Sequence, residues 1–109
     1  MAVHGGTFVG KASCFVEAEI AEYVSAQVVG VYVTPRFRGN GLAEALVTAA
    51  VRWAREEPGA VRVRLFVMET NHRAAAVYRR IGFVPTGATM AYAPNPTYIE
   101  HEMEYRVGA

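Results

Sequence analysis

The sequence predicts a mixed α/β (α+β) fold: a mostly antiparallel sheet with one central parallel pair, and helices packed on it. Three observations predict this. A valine-rich run over residues 28–34 has the composition of a buried strand. Apolar residues then recur at helical spacing from Leu42 to Trp53. From Val61 to Met68, apolar residues alternate with arginine and larger side chains at the period of a strand. A strand, a crossover helix and a second strand place the two strands parallel, with a right-handed connection.

The elements follow in order. Residues 7–16 suit a strand, and a second is expected within 19–24. The third, 28–34, reads as buried on both faces. Leu42, Ala45, Leu46, Ala49, Ala50 and Trp53 define one face of an amphipathic helix over 41–57, stopped by Pro58-Gly59. The strand over 61–68 comes next. A second helix spans 71–81, with Thr70 or Asn71 as its cap and Gly82 just past its end. Its apolar face is Ala74, Val77, Tyr78 and Ile81. Turn residues at Pro94-Asn95-Pro96 precede a last strand over 98–106, and Trp53, Phe66 and Met68 are assigned to the core.

With 109 residues, the chain is read as one domain spanning 1–109. Its 52% hydrophobic and 19% charged composition is that of an ordered globule. A formal net charge of +1 gives no general attraction to nucleic acid or to an anionic membrane, so neither is expected as a partner. Arginines nevertheless cluster at Arg36 and Arg38, which suits a phosphorylated ligand. The single Cys14 cannot form an internal disulfide and sits in an apolar run, as a small buried hydrophobe would. No signal peptide or membrane-spanning run is evident, so a cytoplasmic location is expected. His4, His72 and His101 lack ligand spacing, and no metal is implied.

The chemistry concentrates in Val31–Ala43. A buried strand ends near Pro35, a loop with Gly39 and Gly41 follows, and a helix begins at once. A helix start offers amide donors and the positive end of a dipole, and glycine lets the backbone approach a ligand. That combination suits a diphosphate. Without Gly-Lys-Ser/Thr it is no P-loop, and Glu44 stands where the dinucleotide fingerprint needs glycine. The same residues also suit an ordinary strand-to-helix turn.

Arg38-Gly39-Asn40-Gly41-Leu42-Ala43 resembles the Arg/Gln-x-x-Gly-x-Gly/Ala signature of the Gcn5-related N-acetyltransferases, matching at Arg38, Gly41 and Ala43. A second segment is similar to the same family's Asn-x-x-Ala-x-x-Leu-Tyr-x-x-x-Gly-Phe, at Asn71, Ala74, Val77 (for Leu), Tyr78, Gly82 and Phe83. The resemblance implies an acyl-CoA N-acyltransferase-like fold and acetyl-CoA as cosubstrate, with an amine as acceptor. It implies that the amides of Arg38, Gly39, Asn40, Gly41, Leu42 and Ala43 cradle the pyrophosphate. The backbone of Val31 and Val33 pairs with the pantetheine arm, Asn71 contacts that arm or its neighbouring backbone, and the Tyr78 hydroxyl lies near the sulfur. Family members begin with a strand and two helices that wall the amine site, and this chain reads as short there: a fragment, a minimal member, or one that borrows its wall. An exposed first strand would be a pairing edge, which admits a homodimer.

Direct attack of an amine on a thioester needs a base, an oxyanion donor and an acid. Tyr78 is the candidate acid. The oxyanion donor is expected on the third strand near Val31–Val33, where Gly30 would mark a bulge. The base is open: Glu22 is the first candidate, then Glu100, His101 and Glu102, or a base acting through water. The alternative is a non-catalytic acyl-CoA-binding or regulatory module that keeps the loop but lacks a complete amine site.

Overall fold

A computed structural model describes residues 2–4, 7–20, 23–38, 41–57 and 59–106. The chain packs as two compact units, residues 1–63 and 64–109.

In the first unit, β1 (Ala2–His4), β2 (Thr7–Ile20) and β3 (Tyr23–Val33) pair antiparallel in that order. The strands expected at 7–16 and 19–24 are not two elements. Nearly all of that stretch is β2, and β3 begins at Tyr23. The stretch AEIAEY contains no glycine or proline to announce a turn. β1 carries no strand expectation from its sequence.

β3 carries a bulge. Ser13 faces Val29 and Lys11 faces Tyr32, so Gly30 and Val31 together oppose the single residue Ala12. Gly30 sits at φ 62°, a conformation that costs other residues strain. The extra residue reverses which side of the strand points inward. Before it, Val24, Ala26 and Val28 are buried; after it Val33 is buried and Tyr32 is 43% exposed. The strand is therefore not buried on both faces, as its valine content alone suggests.

After a short 3₁₀ turn (Pro35–Phe37), helix α1 (Leu42–Glu56) packs on β2 and β3. Gly10 seats it: a Cβ there would lie 2.8 Å from the Tyr32 carbonyl oxygen and 3.1 Å from the Leu46 side chain. The buried face of α1 is Val47, Val51 and Ala54, not the expected stripe, and Trp53 is 44% exposed. Trp53 thus does not belong to the core. The chain leaves α1 through buried Ala60, and the Val61 amide donates to the Val24 carbonyl at 2.9 Å. Strand β4 (Arg62–Met68) follows directly.

In the second unit, β6 (Ile99–Tyr105) lies between β4 and β5 (Phe83–Ala91), antiparallel to both. Val63, Leu65 and Val67 of β4 are buried on one face, while Phe66 and Met68 are only half-buried and Val61, before the strand, is exposed. Helix α2 (His72–Ile81) packs on β5. Phe83 is fully buried, between Tyr78 at 6.1 Å and Tyr105 at 5.6 Å between ring centroids, both edge-on. The Asn95 turn closes β5 to β6, its Oδ1 accepting from the Thr97 amide and hydroxyl. β5 is distorted between Pro85 and Thr89, where two extra residues enter the strand.

Candidate active site

The first unit carries the loop. Gly41 is the cap of α1 at φ 83°, ψ 4°, and accepts the Ala45 amide at 3.1 Å. No side chain caps this helix end, and an added Cβ at Gly41 meets nothing within 4 Å. The bend is open on that side, and the positive end of the helix dipole faces outward there. Leu42 and Ala43 are half-buried on its first turn. Arg38 turns back along β3 instead of reaching outward: its Nε donates to the Val33 carbonyl at 2.8 Å, with its guanidinium 5.8 Å from the Tyr32 ring centroid. The Val33 carbonyl is thus occupied. Val31, half-buried, sits in the bulge with Gly30. Gly39, Asn40 and the candidate base Glu22 lie outside the described residues.

The second unit carries the helix of the second motif. Asn71 caps α2, its Oδ1 accepting the Ala74 amide at 3.1 Å. Two turns on, Tyr78 is 7% exposed. Burial pushes its phenol above the ordinary value near 10.0, because ionisation would place a charge among apolar groups. Like any tyrosine it carries its proton at neutral pH, and burial extends that to more alkaline conditions.

The last strand carries three further candidates. Glu102 is 5% exposed, with Oε1 accepting from Thr86 Oγ1 at 2.6 Å and Oε2 from Arg64 at 2.7 Å. A carboxylate held this way is a structural anion that fixes the distorted part of β5. Arg64 also lies 5.0 Å from the Phe66 ring centroid. His101 Nε2 lies 3.3 Å from Glu69 Oε1, and both side chains are solvent-accessible. Glu100 is half-buried.

Elsewhere, Cys14 is half-buried and burial, then Glu17, raises its thiol above the usual range, which keeps it a poor nucleophile. Sequence reasoning missed Gly10 and the Arg64–Glu102–Thr86 group. A glycine inside a strand is the signal for the first, as a place of close approach. The alternation Arg62-x-Arg64 opposite Glu100-x-Glu102-x-Glu104 is the signal for the second.

This arrangement of strands and helices is found in solved acetyltransferases. Naa50 of Arabidopsis thaliana, in complex with the bisubstrate analogue CoA-Ac-MVNAL, superposes with a TM-score of 0.81 at 18% identity, over 94% of this chain and 68% of that one. A GNAT-family acetyltransferase from Streptococcus pneumoniae gives 0.79 at 22% identity, over 97% and 64%. The fold is that of the GNAT acyltransferases, mixed and mostly antiparallel with one parallel pair.

The chain belongs to the acetyltransferase (GNAT) family, whose model matches residues 1–83. Mycothiol acetyltransferase of Salinispora tropica is 39% identical over 71 residues, 62% of this chain and 23% of that protein. A putative [ribosomal protein bS18]-alanine N-acetyltransferase of Bacillus subtilis is 34% identical over 67 residues, 62% of this chain and 44% of that protein. The chain therefore spans less than half the length of either relative. Among the described residues, no helix is long and apolar enough to cross a membrane, and no three His, Cys, Asp or Glu side chains group as metal ligands.

Proposed function

We propose that this chain is an acetyl-CoA-dependent N-acetyltransferase that moves an acetyl group to a primary amine by direct attack on the thioester. Tyr78 is the observation that carries the reading: the tyrosine of the second motif is buried on α2, two turns past the Asn71 cap. Family membership and the second motif support it. In this reading the Arg38–Ala43 bend takes the diphosphate of the cosubstrate on amide donors, and Arg38 braces the bend against β3 through Val33. The Gly30–Val31 bulge interrupts the regular pairing of β3 with β2, and in this reading that irregular stretch serves the pantetheine arm and the thioester oxygen. The amine attacks the carbonyl carbon, the C–S bond breaks, and Tyr78 protonates the departing thiolate.

The test combines binding with turnover. Acetyl-CoA raises the melting temperature by linkage, and free thiol appears when an amine is added. The relatives named for mycothiol and for the alanine of ribosomal protein bS18 supply the first acceptors to try. Thermal stabilisation without thiol release from any amine identifies a non-catalytic acyl-CoA-binding module instead. No thermal shift at all removes both readings.

A further inference from the structure

We infer that His101, oriented by Glu69, is the general base that removes the proton from the incoming amine. This rests on the acetyl-transfer reading above and adds the component that reading lacks. The pair is built by the fold. His101 is paired across the sheet with Val67 of β4. The Glu69 amide, just past the end of β4, donates to the Ile99 carbonyl at 2.9 Å, two residues before His101. Those two fastenings hold the carboxylate at 3.3 Å from Nε2. With Nε2–H donating to Glu69, Nδ1 keeps the lone pair and can accept a proton, the base-and-orienter arrangement of nucleophile-activating sites. The pair sits at the carboxyl end of β4, on the turn that continues to the Asn71 cap of α2. Asn71 belongs to the segment that resembles the family's coenzyme-contacting motif, so the pair stands next to residues that the acetyl-transfer reading assigns to the pantetheine arm.

The other acids of β6 do not compete. Both oxygens of Glu102 are engaged and the residue is buried. One Glu104 oxygen accepts two hydrogen bonds from Arg106, at 2.9 and 2.6 Å. Glu100 alternates with His101 and so points to the opposite face. The cross-strand neighbours of His101 are Val67 and Thr89, neither titratable, and Glu69 is the charged partner described for it.

The proton balance closes. The ammonium gives one proton to Nδ1 of His101, and the neutral amine forms the C–N bond as the C–S bond breaks. The thiolate takes a proton from Tyr78, and the second nitrogen proton restores the phenol. The net release is one proton, through His101 to water.

The experiment uses the full chain with acetyl-CoA and an amine that the wild type acetylates. His101→Gln is expected to lower kcat by about 10²- to 10⁴-fold, with the acetyl-CoA-linked thermal shift unchanged. Glu69→Gln, at an exposed position, lowers it by about tenfold. Free imidazole restores turnover to His101→Gly, which a purely structural role does not allow. Turnover of His101→Gln within threefold of wild type overturns the assignment while leaving acetyl transfer standing. Wild-type protein that binds acetyl-CoA but releases no thiol overturns the acetyl-transfer reading, and the base falls with it.

Discussion

Gly41 offers the sharpest separation of folding from binding in this chain. Its backbone is left-handed, at φ 83° and ψ 4°, and a Cβ placed on it touches nothing within 4 Å. Gly41→Ala therefore meets no steric obstacle in the protein itself, and its whole cost is the backbone conformation, about 1–2 kcal/mol. For a domain of about 100 residues, each kcal/mol lowers Tm by roughly 4–8 °C. Gly41→Asn is expected to lose less, because asparagine tolerates this conformation better. Binding is read in the same calorimetric experiment. Acetyl-CoA at about 100 times its Kd stabilises the wild type by about 2.7 kcal/mol. Gly41→Val projects branched methyl groups into the open side of the bend and is expected to abolish most of that increment. An unchanged Tm for Gly41→Ala refutes the strain argument. A full acetyl-CoA increment in Gly41→Val refutes the assignment of the bend to the diphosphate, whatever happens to stability.

Other consequences are equally open to measurement. Arg64→Met removes the 2.7 Å ion pair to the buried Glu102 carboxylate and is expected to lower stability by about 3 kcal/mol in urea denaturation. The double variant Arg64→Met/Glu102→Met is expected to recover much of that loss. Gly10→Ala forces a Cβ to 2.8 Å from a backbone oxygen, so α1 or β3 must shift, at about 1–3 kcal/mol. The Tyr78 phenol has a folded-state pKa above its ordinary value near 10.0. The folded protein therefore holds that proton more tightly than the unfolded chain does. This contribution is complete below about pH 10 and is lost as pH rises through the folded value. Denaturation across alkaline pH is expected to show this decline in the wild type and a shallower one in Tyr78→Phe.

Both helices were legible because their ends carry strong chemistry. Gly41 opens α1, and Asn71 and Gly82 bracket α2, each a residue whose cap role is local and independent of tertiary context. The β3 bulge was also legible, since a lone glycine inside a valine run has few other uses. The β2–β3 connection was not, because AEIAEY holds no turn residue and the long hairpin is stabilised by pairing that no local signal reports. The face of α1 was misjudged for a different reason. Val47, Val51 and Ala54 keep helical spacing as well as the chosen stripe does, so periodicity offers two faces. Close packing at Gly10 belongs to the tertiary contacts that choose between them. Tyr78 and the bend were each marked by motif spacing. The surroundings of Glu102 and His101 depend on which residues of β4, β5 and the turn stand opposite them, and pairing register is a long-range property.

The outward position of Trp53 has a practical corollary. It is the single tryptophan of the chain, and its indole is 44% exposed on α1. An indole already in contact with water in the native protein has only a short way to travel in emission wavelength on denaturation. Its fluorescence is thus a weak reporter of unfolding, but aqueous quenchers reach it directly, and anything that settles on that flank of the helix shields it.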